Sequence, residues 1–273
     1  AMINPVYYKS NLSTTEDSSR GPSNNIWADC PVLEIIRDPG KGIYFFDDFV
    51  ATPNVAAAAE ANYGIYKGFA STGGSVTEGS SIFGEKTLSS DGDDEGASLA
   101  TVSKPFKIAR GQGRFWFEAR VKTSTTTDTK HGMFVGLIDT STLSATVPIV
   151  AAGTLADENF VGFHKLEGDG DMLDTVYKAD SVTQVSVQTD AITLADDTYV
   201  KVGFTFDPST YKLTFFKNGV PLATTYTVVA AAGTDFPNDV NLGLVMAVLN
   251  ATGTTPGSSS IDWWRAAQLT ANT

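Results

Sequence analysis

The sequence predicts an all-β fold in which two antiparallel sheets pack face to face. Segments with alternating apolar and polar residues recur along the chain, as expected for strands that bury one face. Thr, Val, Ser, Gly and Asp are abundant, whereas long helical runs of Ala, Leu, Glu and Lys are missing. Turn-forming residues such as Asn218-Gly219 separate the segments. Together these features favour strands and turns over helices.

Residues 198–222 show the strand pattern most clearly. The first run places alternate residues on one apolar face: Val200, Val202, Phe204 and Phe206. Turn residues at 207–210 lead into a second run, whose apolar face holds Tyr211, Leu213 and Phe215. Asn218-Gly219 follows, the dipeptide best suited to the positive φ angles of a two-residue hairpin turn. The stretch therefore predicts two consecutive hairpins with one buried face.

Similar segments recur at the spacing expected of an all-β sandwich. They are 97–102, 113–123, 133–139, 159–164, 183–187, 199–206, 212–216, 242–250 and 261–269. No repeat period stands out, which argues against a solenoid or a propeller. We therefore expect one sandwich domain over residues 43–273.

Residues 1–42 differ from the rest and predict an extended, loop-rich N-terminal arm. Residues 13–25 have no apolar periodicity and are rich in polar and turn-forming residues. The aromatic residues Tyr7, Tyr8 and Trp27 are unusual for a disordered tail, so we expect them to bind a partner surface. Two such surfaces are open: the chain's own globule and a neighbouring subunit.

The charge and the cysteine count argue against several classes of function. A net charge of −12 without a basic patch disfavours nucleic-acid binding. The single cysteine, Cys30, excludes an intrachain disulfide and a multi-cysteine zinc site. No apolar run reaches the roughly 18 residues that a membrane helix needs, and the N-terminus lacks a signal-peptide pattern. We expect neither nucleic acid nor a membrane as a partner.

Several landmarks follow the order of a known superfamily. They are Phe46-Asp47-Asp48-Phe49, residues 113–122, residues 132–139, the hairpins at 199–222 and Ile261-Asp262-Trp263-Trp264. Over residues 43–269 this pattern resembles the concanavalin A-like lectin and glucanase jelly roll, a superfamily that includes laminin-G-like modules. The resemblance implies a two-sheet antiparallel jelly-roll sandwich.

The layout is also similar to that of sandwich modules in structural proteins of tailed bacteriophages. This resemblance implies a non-enzymatic virion component, above all a capsid decoration or head-associated protein on the capsid surface. Its partners would be the major capsid protein or sister subunits, the latter giving a homo-oligomer. A glycan-binding, lectin-like module of a phage fibre or cell-surface protein, which would bind carbohydrate, is the second hypothesis. A glycoside hydrolase is the third.

The glucanases of this superfamily place two catalytic carboxylates in a Glu-x-Asp-x-x-Glu run on one strand. The nearest run here is Glu167-Gly168-Asp169-Gly170-Asp171, whose third acid comes one position early. Its glycines favour a turn, which would not hold the acids rigidly. His131 and His164 are the only histidines, no nucleophile motif accompanies them, and we expect His164 to be structural. The sequence therefore predicts no catalytic residue.

Glu118 lies on a predicted strand whose polar face also carries Arg114, Arg120 and Lys122. Alternation places Phe115 and its counterparts on the opposite, buried face. We expect the polar face to be solvated and Glu118 to form salt bridges across it.

Two acidic segments are candidate calcium sites, and a solvated acidic loop is the alternative for each. Between positions 91 and 96, Asp91, Asp93 and Glu95 match the first half of an EF-hand loop. Position twelve is Val102, so the bidentate Glu of an EF-hand is missing. The second candidate is the cluster Glu167, Asp169, Asp171 and Asp174. No other cofactor is expected.

Trp263 and Trp264 are adjacent on a predicted strand, so one of them must face away from the core. An outward Trp is a candidate contact for a glycan or for another subunit. The alternative is that the N-terminal arm or a neighbouring subunit covers it.

Overall fold

The computed structural model describes residues 16–52, 54–126, 132–139, 143, 148–150, 154–166, 168–231, 234–250 and 257–271. The predictions made for Tyr7, Tyr8, His131 and Glu167 lie outside these residues. Within the described part of the chain, two antiparallel sheets of eight strands each pack against one another, as the sequence predicts.

Sheet A contains eight of the described strands. They are β1 (Gly42–Asp47), β4 (Gly74–Glu78), β5 (Lys86–Ser90), β7 (Phe115–Thr123), β14 (Val200–Asp207), β15 (Lys212–Lys217), β16 (Val220–Thr227) and β18 (Gly257–Leu269). Their order is β16-β15-β14-β7-β18-β5-β4. The long strand β18 pairs with β7 on one side, and with β5 and then β1 on the other.

Sheet B contains the other eight strands of the sandwich. They are β2 (Ala59–Tyr63), β3 (Tyr66–Ala70), β6 (Glu95–Thr101), β8 (Gly132–Ile138), β11 (Phe160–Lys165), β12 (Met172–Lys178), β13 (Val185–Thr193) and β17 (Gly243–Asn250). Their order is β13-β12-β11-β8-β17-β6-β3-β2. Two short strands, β9 (Ile149–Val150) and β10 (Thr154–Leu155), pair with each other.

The core lies between the two sheets, where aromatic rings in tilted and edge-to-face contact fill its centre. The ring centroid of Phe204 lies 5.6 Å from that of Phe115, 5.0 Å from Phe117 and 5.6 Å from Phe215. Phe163 of sheet B reaches across, with its ring centroid 5.4 Å from that of Phe215. Each fully buried aromatic side chain of this kind contributes roughly 1.5–3 kcal/mol to the free energy of unfolding.

The two hairpins predicted for residues 198–222 are confirmed. Between β14 and β15, the backbone N–H of Ser209 donates a hydrogen bond to Asp207 Oδ1 over 2.9 Å. Asn218 and Gly219 connect β15 to β16 with φ angles of +46° and +79°. The apolar residues predicted to share a face on both strands pack in the core.

The N-terminal segment, defined as residues 16–41, lies on the face of sheet A that is turned away from sheet B. It contains two short helices, α1 (Asn24–Trp27) and α2 (Val32–Arg37), where an extended arm was predicted. Its apolar residues form a second cluster with outward side chains of sheet A: Ile26, Trp27, Ile35, Trp116, Phe216 and Ala267. Within the described residues, neither this segment nor the sandwich contains a helix long and apolar enough to cross a membrane.

Gly219→Ala should destabilise the protein in two ways, because the new Cβ meets both conformational strain and a clash. The left-handed φ of Gly219 costs an alanine about 1–2 kcal/mol, and its Cβ would lie 2.8 Å from Ser23 Cβ in the N-terminal segment. Gly64→Ala is the matched control, since Gly64 has φ +60° but nothing within 4 Å of the added atom.

Urea unfolding measured by tryptophan fluorescence should show a larger loss of stability for Gly219→Ala than for Gly64→Ala. Equal losses would mean that the contact between the hairpin and the N-terminal segment contributes nothing.

Candidate functional sites on and beside the two sheets

Glu118 lies on β7 beneath the N-terminal segment and is fully buried. The backbone N–H of Ser23 donates to both of its carboxylate oxygens, over 3.2 and 3.0 Å. Trp27 Nε1–H donates to Glu118 Oε2 over 2.7 Å. The prediction of a solvated, salt-bridged face is therefore wrong, because helix α1 covers this face and supplies N–H donors of its own.

The three cations expected to pair with Glu118 form ion pairs with other residues. Arg114 pairs with Asp29 over 2.5 Å, Arg120 with Asp262 over 2.7 Å, and Lys122 with Glu85 over 3.3 Å. Burial raises the pKa of Glu118, and the hydrogen bonds from Ser23 and Trp27 and the charge of Lys201 only partly offset this effect. Glu118 thus anchors the N-terminal segment and is sealed from solvent.

A second buried carboxylate, Asp262, binds the beginning of the N-terminal segment. Asp262 lies at an irregularity in the register between β18 and β7 and is buried. Arg20 Nη2 lies 2.8 Å from its Oδ1, and Arg120 Nη1 lies 2.7 Å from its Oδ2. Arg20 is thereby fixed so that its carbonyl oxygen accepts a hydrogen bond from Trp263 Nε1 over 2.6 Å.

Both tryptophans of the Trp263-Trp264 pair are buried. Trp264 points into the core, where its ring centroid lies 5.2 Å from that of Phe49 and its Nε1 donates to Tyr66 Oη. Trp263 faces outward, as expected for one of the pair, and is covered by residue 20 of the N-terminal segment. In this arrangement neither side chain offers a surface to a glycan or to another subunit.

Trp27 also packs against its own chain. It is buried against sheet A, and Arg265 Cζ lies 4.0 Å from the centre of its ring system. Of the two docking surfaces left open by the sequence, the structure places Trp27 on the chain's own globule. Trp27 therefore follows the first of these two alternatives, and its side chain is not exposed to bind a partner.

The outer face of sheet B is apolar at its centre and is also covered. Leu143 and residues of β9 and β10 lie over it, so that a third cluster forms. The cluster comprises Ala100, Phe134, Ile138, Leu143, Ile149, Leu155, Ala156, Phe160, Leu166, Val176, Val245 and Leu249.

The acidic run predicted as a turn connects β11 to β12. Gly168 and Gly170 adopt φ angles of +93° and +61°, which bend the chain back on itself. The turn brings Asp169 close to His164 and Asp174, and one ligand atom from each of the three lies within 4.8 Å of the others. Among the described residues this is the one group of metal-ligating side chains that converges so closely. Asp171 is not part of it.

Asp174 is held in place by several donors. The backbone N–H of Asp190 donates to its Oδ1 over 2.8 Å, and Ser186 Oγ lies 3.3 Å from its Oδ2. Burial alone would raise the pKa of Asp174, but the neighbouring imidazole of His164 and these hydrogen bonds outweigh it, so the pKa lies below its ordinary value. The carboxylate is therefore ionised over the physiological pH range.

The other predicted calcium segment lies in the turn between β5 and β6. Asp91, Asp93 and Glu95 do not bring three ligand atoms within 4.8 Å of one another. The side chains of Asp91 and Glu95 instead pack around Gly73, where an added Cβ would lie 2.2 Å from Asp91 Oδ1. The segment therefore lacks the convergent oxygens that a calcium loop requires.

Sequence reasoning missed an acidic cluster around Glu158. Burial and the nearby carboxylates of Asp139, Asp180 and Asp157 raise the pKa of Glu158 to about 7. Asp139 and Asp180 come from two other loops than the adjacent Asp157 and Glu158, so neither motif nor spacing indicates that the four acids meet. When Glu158 is ionised, these neighbouring carboxylates repel it, so the stability of the folded state depends on pH.

Solved structures resemble this fold, although no protein-family model and no curated protein matches the chain. A protein of unknown function from Shewanella oneidensis MR-1 matches with a TM-score of 0.56 and 12% identity, over 90% of this chain and 95% of that one. Peanut lectin, solved with a nine-residue peptide, matches with a TM-score of 0.56 and 16% identity, over 85% of this chain and 100% of the lectin. The fold is a concanavalin A-like jelly roll.

A glycoside hydrolase family 16 protein of Bacteroides ovatus, solved with a product, extends the comparison. It matches this jelly roll with a TM-score of 0.51 and 13% identity, over 81% of this chain and 98% of that one. Identities this low show a shared fold, and the chemistry must be argued from the residues of this chain.

Glu118→Ala should loosen the N-terminal segment from the jelly roll. The change leaves the N–H groups of Ser23 and Trp27 buried without an acceptor, and each such group costs about 1–3 kcal/mol. We expect the free energy of unfolding to fall by at least about 2 kcal/mol, with faster proteolytic cleavage within residues 16–41.

Glu60→Ala is the control for that change, because Glu60 is exposed and pairs only with Lys67 in the described structure. Its cost should stay below about 1 kcal/mol. Equal stability and equal protease resistance in the two variants would contradict the anchoring role of Glu118.

Glu158→Gln should flatten the pH dependence of stability. Because the folded-state pKa of Glu158 is raised from 4.5 to about 7, the folded state binds more protons than the unfolded state between these values. Stability therefore falls as the pH rises through this window. Thermal unfolding from pH 4 to pH 8 should show a smaller decline for Glu158→Gln than for the wild type. An unchanged slope would contradict this account.

Proposed function

We propose that this jelly roll is a non-enzymatic structural module that acts through protein–protein contacts, as a component of a tailed-phage virion. The observation that carries the proposal is that the chain covers the outer faces of both its sheets with its own residues. An extended polysaccharide needs an open face or groove on a sheet. The centres of these two faces are closed, which leaves the edges and loops for recognition.

The carboxylates also argue against glycoside hydrolysis. Hydrolysis of this kind needs two carboxyl groups about 5–9.5 Å apart on an accessible surface. Glu118 is sealed under α1, and Asp169 lies in a turn, where its Oδ2 accepts a hydrogen bond from the backbone N–H of Leu166. The described residues of the acidic run thus supply a turn in place of a catalytic strand.

Exposed apolar residues favour contact with protein partners. On α2, Leu33 and Ile36 are 60% and 59% exposed, and Phe46 on the neighbouring strand β1 is 49% exposed. β1 pairs with β18 on one side, so its other edge has unpaired backbone groups within the described residues. Apolar side chains beside an open strand edge are typical of a surface that pairs with another chain. Sister subunits or a capsid lattice fit such a surface.

The test measures the oligomeric state and the location of the protein. Light scattering with size-exclusion chromatography should show an oligomer for the wild type, and a smaller species for the double variant Leu33→Gln/Ile36→Gln. Ile65→Gln is the control, since Ile65 has a similar exposure of 54% but lies in the turn between β2 and β3 of sheet B. Immunogold labelling of particles purified from the source should label virions.

The same preparation should release no sugar from β-glucans and should bind no glycan on an array. A monomer at all concentrations, unlabelled particles or measurable hydrolysis would each count against the proposal.

A glycan-binding module is the second candidate, and one exposed aromatic residue favours it. Phe83 is 55% exposed, and Arg20 Cζ lies 4.8 Å from its ring centroid. An exposed ring beside a guanidinium can stack on a sugar and hydrogen-bond its hydroxyl groups. The fold is shared with a peanut lectin and a glycoside hydrolase. Array binding that disappears in Phe83→Ala would replace the leading proposal with this one.

A further inference from the structure

The turn between β11 and β12 places three metal-ligating side chains around one point. His164 and Asp174 stand opposite each other in the register of the two strands. Asp169 comes from the turn itself, and the three ligand atoms all lie within 4.8 Å of one another. From the sequence, Asp169 and Asp174 were assigned to a candidate calcium site, whereas His164 was expected to be a structural residue.

His164 is a buried imidazole with one ring nitrogen that has no hydrogen-bond partner among the described residues. It is 1% exposed, and its Nδ1 is buried without a hydrogen-bond partner. Its Nε2 lies 3.6 Å from Asp174 Oδ2, a separation longer than an ordinary hydrogen bond. Nε2 is therefore not tied to Asp174 by an ordinary hydrogen bond, and it is the ring nitrogen that faces the carboxylate.

A cation between the imidazole and the carboxylate accounts for the separation. Two ligands bound tetrahedrally at 2.0–2.1 Å from one zinc ion lie about 3.4 Å apart. The observed 3.6 Å between His164 Nε2 and Asp174 Oδ2 matches that geometry better than it matches a hydrogen bond. Asp169 has a ligand atom within 4.8 Å of the other two and is the third candidate ligand.

Both carboxylates are held by the backbone before any ion binds. The N–H of Leu166 donates to Asp169 Oδ2 over 3.1 Å, and the N–H of Asp190 donates to Asp174 Oδ1 over 2.8 Å. Asp174 Oδ2, which also lies 3.3 Å from Ser186 Oγ, is the oxygen 3.6 Å from His164 Nε2. Hydrogen bonds of this kind fix the direction of a ligand and raise its affinity for a metal.

We propose that His164, Asp169 and Asp174 bind a divalent transition-metal ion, of which Zn²⁺ is the type. One imidazole and two carboxylates suit Zn²⁺ or Mn²⁺, whereas Ca²⁺ takes six to eight oxygen ligands and no imidazole. The ion binds Nε2 of the imidazole and ties the turn to β11 and β12, while Nδ1 stays outside its coordination shell. The site is independent of the surfaces in the proposed function.

Calorimetric titration of the chelator-treated, tag-free protein tests the site, with Zn²⁺, Mn²⁺ and Ca²⁺ as separate probes. Zn²⁺ should bind with a stoichiometry of one and raise the melting temperature. Asp169→Asn and Asp174→Asn should each weaken its binding at least tenfold. Asp171→Asn is the matched control, because Asp171 lies in the same turn but outside the group, and it should bind as the wild type does.

X-ray absorption at the zinc edge adds a readout that a purely structural role would not give. It should show one imidazole nitrogen among ligands at about 2.0–2.2 Å, and that nitrogen should be lost in His164→Gln. If His164→Gln does not fold, the Asp169→Asn result alone decides, since Asp169 lies in a surface turn. Absence of heat with no melting shift, or binding that survives in both Asp variants, would overturn the proposal.

Discussion

The buried carboxylate of Glu118 needs hydrogen-bond donors, and the chain provides them from a segment about ninety residues earlier. A carboxylate in an apolar setting costs several kcal/mol unless donors surround it. Ser23 and Trp27 supply three N–H contacts, and Trp27 brings an apolar ring that closes the site to water. Because of this interaction, β7 is buried on both faces, and the cations around Glu118 pair elsewhere.

Sheet A is buried on its outer face by the N-terminal segment. Trp116 and Phe216 point away from the core and would be exposed without the N-terminal segment. The segment is therefore an outer layer of the globule. Its charged side chains face buried charges of sheet A. Asp17 lies 3.1 Å from the buried Lys201, and Arg20 faces the buried Asp262. Charges that look isolated in the sequence find partners across this layer.

The inner faces of the strands could be predicted from the sequence, whereas the outer faces could not. Alternation identifies which residues share a face, so Phe117 and Phe204 were assigned to the core correctly. Alternation does not show whether the opposite, outer face of a strand is exposed to water or covered by another segment of the chain. Trp116 was the residue that indicated a covering segment, because a large aromatic side chain on an outer face is rarely left exposed to water.

The candidate metal group shows the same limit. The two glycines of the acidic run indicated a turn, and the structure confirms it. β12 was not predicted, because it follows directly on the acidic run and Asp174 breaks its apolar pattern. Without β12, the register that sets Asp174 opposite His164 could not be foreseen.

The position of β18 links the order of synthesis to the order of folding. This strand pairs with β7, β5 and β1, yet it is the last strand in the described chain. β1, in which Gly42 lies opposite Leu269 of β18, cannot pair with β18 until that last strand has been synthesised. Sheet A therefore closes late, through contacts of very high sequence separation, which slows folding and leaves strand edges open in the meantime. The acidic net charge of −12 is well suited to keeping such incomplete chains apart.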